Sequence, residues 1–135
     1  MDLPNSYRRL VKIDEGNIGI IPDNGFSDIS ILGRSILFVL ARWSGASQLS
    51  FRALNDVLHT IHGSSNLRIW ISDIDNESTQ RFMEKMGDVP TGSGETYWIK
   101  DGQVIGKLNS CRDVDKASIE EQVHHLLEEG TKGTE

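Results

Sequence analysis

Two serines three residues apart, Ser44 and Ser47, lie in the segment Trp43-Ser44-Gly45-Ala46-Ser47, between a run of apolar residues and a helical pattern. At the start of a helix, serine can satisfy free backbone N–H groups as a cap. The same geometry can instead hold a small anion or peptide, because the first turn offers N–H donors and the positive end of the helix dipole. A serine nucleophile would need a base beside it. The four histidines, His59, His62, His124 and His125, fall on helix bodies or ends away from the segment. The adjacent pair His124-His125 points about 100° apart on a helix and forms no i, i+4 metal pair. Asp73, Asp75 and Glu77 alternate but lack the glycine and closing glutamate of a calcium loop, and read as charges at a helix start.

Cysteine chemistry is bounded by count. Cys111 stands alone, so an intramolecular disulfide and a cysteine-based zinc site are both excluded. It reads as an inert thiol. A net charge of −6 argues against nucleic-acid binding, which needs a basic surface to neutralise phosphates. No apolar stretch at the N-terminus reads as a signal peptide, and the run Ile36 to Ala41 is too short to cross a membrane. A cytoplasmic location is expected, with no cofactor, no metal and no membrane contact.

The elements that must position these residues follow from periodicity. Tyr7 to Ile13 and Asn17 to Ile21 each read as a strand, and Phe26 to Leu32 as a short helix after a turn at Pro22-Asp23-Asn24-Gly25. Ser35 to Ala41 is a continuous apolar run, the mark of a strand buried on both faces. Phe51, Leu54, Leu58 and Ile61, with Val57, form one apolar stripe of a long helix that Gly63-Ser64-Ser65 ends. Leu67 to Ile71 is a second strand. A helix runs from Glu77 to Met86, capped by Asp75 or Asn76 and stopped by Gly87. Glu95 to Lys100 and Gln103 to Leu108 pair through Asp101-Gly102, a type I′ hairpin signal. The last helix covers Lys116 to Glu128, with Asp115 as N-cap and Ser118 with Glu121 as a capping box. Trp70 and Trp98 fall inside strands. From residue 35 the order is β-α-β-α-β-β-α, an α/β domain spanning 1–129 and ending in a tail of 130–135. Its mixed sheet carries helices on both faces.

That order, with these residues at the joints, resembles the thioredoxin family over roughly residues 35 to 128. The family motif Trp-Cys-Gly-Pro-Cys is matched by Trp43-Ser44-Gly45-Ala46-Ser47, preceded by a matching Ala41. The family's Ile-Asp after the next strand is matched by Ile74-Asp75, its Ile-Pro-Thr by Val89-Pro90-Thr91, and its hairpin Lys-Asn-Gly by Lys100-Asp101-Gly102. About four extra residues, Gly92-Ser93-Gly94-Glu95, intervene before the hairpin. The resemblance implies a thioredoxin-like fold. The departures imply no thiol–disulfide chemistry: both cysteine positions are serine, and a serine hydroxyl neither ionises near neutral pH nor forms a disulfide. Phe38 aligns with the family's buried acid, Ala46 with the motif proline, and Arg52 with the kink proline of the helix.

The expectation is therefore a redox-inactive, non-catalytic protein that binds a protein or peptide partner, in a chaperone-like, assembly or regulatory role. The resemblance places a vestigial groove at Trp43, Ser44, Gly45, Ala46, Ser47, Pro90 and Thr91. The alternative is a small acidic inhibitor or immunity-type protein that covers a basic partner. The oligomeric state is left open.

Overall fold

Six consecutive apolar or small residues with no charge can be sheltered only where both faces of a sheet are covered. Ser35–Leu40, strand β2, is buried at every position and sits at the centre of the sheet. The computed structural model describes residues 3–22, 25, 32–61, 67–112 and 114–128. Their elements are α1 (Asn5–Arg8), a 3₁₀ turn (Glu15–Asn17), β1 (Ile18–Ile20), β2, α2 (Gly45–Thr60), β3 (Arg68–Asp73), α3 (Glu77–Lys85), β4 (Thr96–Lys100), β5 (Gln103–Leu108) and α4 (Lys116–Leu127).

The strand order is β1-β3-β2-β4-β5. β2 runs parallel to β3, with Phe38 opposite Ile71, and antiparallel to β4, with Phe38 opposite Thr96. The period of two divides β2 between two cores. Ile36, Phe38 and Leu40 face one core with Tyr7, Phe51, Leu54, Leu58, Ile119 and Val123, under α1, α2 and α4. Leu37, Val39 and Ala41 face the other, with Phe82 and Met83 of α3. This is an α/β mixed sheet flanked by helices on both faces. Trp98 is fully buried and Trp70 half-buried beneath the Arg68 guanidinium, 5.2 Å from its ring centre.

The joints follow local chemistry. Asp101 and Gly102 both have positive φ, 52° and 80°, as a type I′ hairpin requires. Gly87, at φ +79°, ends α3 and donates its N–H to Glu84 at 2.9 Å. At α4 the cap is Asp115, whose carboxylate accepts from the Ser118 N–H at 3.1 Å and from its hydroxyl at 2.8 Å. Ser118 is thus the third helical residue answering Asp115, which corrects the Ser118–Glu121 capping box.

The N-terminal segment departs further from expectation. Tyr7 to Ile13 is no strand: Pro4 heads a single helical turn, accepting from the N–H groups of Tyr7 and Arg8 at 2.9 Å each. Tyr7, Leu10 and Val11 fall at i, i+3 and i+4, so one turn puts all three on the same core. The expected strand at Asn17 to Ile21 is present as β1, paired with β3. Residues 26–31 of the expected Phe26–Leu32 helix, and Gly63-Ser64-Ser65 after α2, lie outside the described residues. Among those described, no helix is long and apolar enough to cross a membrane.

Candidate functional site

The start of α2 is built from the segment that the spacing singled out. Ser44 is its N-cap: the hydroxyl oxygen accepts from the Ser47 N–H at 3.3 Å and its proton goes to the Gly92 carbonyl at 2.6 Å. One side chain thus closes the helix and ties it to the loop before β4. Gly45 opens the first turn in free space, and Ala46 is half-buried.

Ser47 is not a surface group. It is fully buried, and its oxygen accepts from the Ala41 N–H at 3.0 Å. The Tyr7 hydroxyl lies 2.7 Å from that oxygen and 3.0 Å from the Ala41 carbonyl. Each hydroxyl carries one proton and the carbonyl can only accept. The phenol proton therefore lies between two acceptors, the Ser47 oxygen and the Ala41 carbonyl. Burial raises the Tyr7 phenol above its ordinary value; the Ser47 bond opposes this and the Asp73 charge adds to it. The phenol stays a proton donor. Ser47 therefore belongs to a closed structural triangle, which takes it out of the expected groove.

Trp43 remains at the surface, with 63% of its area exposed. Its ring rests on Gly92: a Cβ there would come within 2.4 Å of the indole, and φ at Gly92 is +80°. Gly94 is constrained in the same way, at φ +82° with a built Cβ 2.3 Å from Ser50. The Ser50 hydroxyl donates to the Gly94 carbonyl at 2.9 Å. So Gly92 and Gly94, not Pro90, face the start of α2. Pro90 and Val89 instead line an open groove beside α3 with Glu77, Arg81 and Glu84. Thr91 is exposed, and its N–H and hydroxyl both donate to a carboxylate oxygen of buried Glu95, each at 2.8 Å. The Val89–Pro90 bond is trans.

Tyr7, Gly92, Gly94 and Glu95 were missed as site residues. Gly92 to Glu95 read as an insertion after Thr91. Counted back from the Asp101-Gly102 hairpin without a gap, Gly94-Glu95 falls where Pro90-Thr91 had been placed, and that register was the available signal. Tyr7 carried none, because its partners lie 34 and 40 residues away.

Phe38 fills the core beneath the site, its ring 5.1 Å from that of Phe51. Cys111 is buried, with its N–H on the Ser50 hydroxyl at 2.9 Å and its thiol on the Thr96 hydroxyl at 3.5 Å. Burial pushes the thiol up to about 11, although the bonds with Thr96 and Ser50 lower it. A thiol so held is a poor nucleophile at neutral pH. The hydroxyls of Ser44 and Ser47 are engaged by Gly92, Tyr7 and Ala41, while His59 meets the Lys12 carbonyl and His124 and His125 are exposed on α4. Among the described residues, no group of three or more His, Cys, Asp or Glu side chains is placed to hold a metal ion.

No protein-family model matches the sequence, and no curated protein matches it. The similarity is to solved structures. A chain from a study of thiol resolution in yeast mitochondrial 1-Cys peroxiredoxin by glutathione/thioredoxin systems superposes with TM-score 0.59 at 16% identity, covering 82% of this chain and 96% of that one. Spinach chloroplast thioredoxin f gives 0.56 at 10%, covering 82% and 94%. A chain from the complex of ferredoxin:thioredoxin reductase with thioredoxin f2 gives 0.56 at 13%, again covering 82% and 94%. The fold is thioredoxin-like.

Proposed function

We propose that this chain is a redox-inactive protein of thioredoxin-like fold that binds another protein through the surface around Trp43, in a chaperone-like, assembly or regulatory role in the cytoplasm. The observation that carries the reading is the exposed indole itself. A large ring, 63% exposed, packs against Gly92 beside a helix start that Ser44 ties to the same loop. Exposed aromatic rings on preordered backbone are the usual anchors of protein interfaces, because little entropy is lost on docking. Leu49 of α2, 45% exposed, adds apolar area one turn on from the half-buried Ala46.

The non-catalytic part rests on chemistry. A dithiol mechanism needs an attacking thiolate and a resolving thiol, and serines occupy both positions of the motif. Ser47 is committed to Tyr7 and Ala41, and the lone Cys111 is buried with a raised thiol. Among the neighbours by fold, thioredoxin f2 is seen in complex with its reductase, which supports protein recognition as a use of this architecture.

An insulin-reduction assay with dithiothreitol tests the claim of inactivity. The expected rate equals that of buffer; clear acceleration overturns the reading.

A further inference from the structure

We propose a second binding surface on α1, where Arg8 and Arg9 receive a carboxylate-rich segment of a partner protein. In a chain of net charge −6, the stretch from Leu3 to Lys12 contains Arg8, Arg9 and Lys12 and no acid. Lys12 is neutralised by Asp56 at 2.7 Å. Arg8 and Arg9 are exposed, and among the described residues neither guanidinium enters a salt bridge. With Asn5 they line an open depression of about 500 Å³. Arg8 also borders a smaller hollow of about 150 Å³ that Glu15 lines as well, and among the described residues the two form no salt bridge.

The surface is held in place although α1 is one turn long. Tyr7 is pinned to Ala41 and Ser47 in the core. Lys12 is pinned at its N–H by Asn55, at 3.2 Å, and at its carbonyl by His59, at 3.1 Å. Arg8 and Arg9 therefore lie between two residues tied to the rest of the fold, Tyr7 and Lys12.

Two neighbouring guanidinium forks match two carboxylates, with geometry that point-charge lysines do not offer. The Asn5 amide adds a neutral donor. A polyanion such as a nucleic acid fits less well, because the net negative charge of the rest of the chain opposes it and only two unpaired arginines attract it. A short acidic segment confines its charge to the patch, within the roughly 8 Å over which charges act at physiological salt.

The test is a titration of the ¹⁵N-labelled full chain with an eight-residue Asp/Glu peptide and its Asn/Gln analogue. The expected result is shifts confined to residues 5–12, and affinity that falls several-fold between 50 and 200 mM NaCl. Binding should weaken at least tenfold in Arg8→Ala/Arg9→Ala and by less in Arg8→Lys/Arg9→Lys, with circular dichroism verifying both folds. No binding, equal binding of the neutral peptide, or unchanged binding by the alanine variant would overturn the proposal. So would shifts at residues 43–47 and 92 instead, tighter binding of a DNA oligonucleotide, or equal affinity for inorganic phosphate.

Discussion

Replacing Ser47 with alanine removes one oxygen from a fully buried triangle, and the cost can be worked from its partners. The Ala41 N–H loses its acceptor and the Tyr7 hydroxyl loses its neighbour. Orphaning a buried neutral group costs about 1–3 kcal/mol, offset slightly because the serine hydroxyl no longer has to be desolvated. A net loss of about 2 kcal/mol follows. For a domain of this size Tm falls by about 3–5 °C per kcal/mol, so the melt should drop by roughly 6–10 °C. Tyr7→Phe strips the donor from the Ala41 carbonyl and should cost about 1–2 kcal/mol. Because both substitutions break the same ring, the double variant should be more stable than additivity requires by about 1 kcal/mol. Urea unfolding followed by far-UV circular dichroism gives all four corners of the cycle, with constant m confirming a common transition. Ser47→Ala within about 0.5 kcal/mol of the parent, the usual range for a surface change, would refute the triangle. Strict additivity would refute it equally.

Three further outcomes follow from the same geometry. Gly92→Ala puts a Cβ against the Trp43 ring at a φ of +80°; it should cost at least 1–3 kcal/mol and shift the tryptophan emission, whereas Gly45→Ala, in open space, should be neutral or slightly stabilising. Asp88 accepts from Lys107 at 2.6 Å and from the Tyr97 hydroxyl at 2.7 Å. Burial alone would raise its carboxyl, but these bonds and the Lys107 charge outweigh it and hold the group below its ordinary value. Its contribution to stability is thus present above the ordinary 3.8 and lost as pH falls through the lowered native value. Acid titration of unfolding free energy should show a shallower loss for Asp88→Asn, which starts less stable at neutral pH. Cys111, ordinarily 9.0 and here about 11, binds its proton more tightly when folded, so stability should decline as pH rises from 9 through 11. Ellman's reagent at pH 8 should label it only on unfolding.

The central strands and three long helices were legible because each satisfies one periodic rule. Ser35 to Leu40 reads as a doubly covered strand and Phe51 to Leu58 as a helical stripe whatever their neighbours do, and Asp101-Gly102 demands its turn locally. The site was legible where it is local: Ser44 as an N-cap and Trp43 beside it. It was not legible where it depends on distant closure. The spacing places Ser47 with Ser44 at a helix start, as cap or groove residue, but its partner is Tyr7, and a one-turn helix leaves too short a pattern to reveal that. Pro90-Thr91 follows from the match to the family's Ile-Pro-Thr and its spacing from Asp75, whereas the loop's path is set by the glycines that approach Trp43 and Ser50.

Trp43 is the side chain on which the proposed binding most depends. A ring of its kind buries about 150–250 Å², and 63% of it is exposed. A partner covering it removes on the order of 100 Å² from water, worth about 2–3 kcal/mol at ~25 cal/mol per Å². Quantitative co-purification from host extract by the parent chain and by Trp43→Ala measures this contribution. We predict a protein retained by the parent and weakened roughly 30- to 100-fold by the substitution, at about 1.4 kcal/mol per tenfold. Equal retention by both chains would contradict the account.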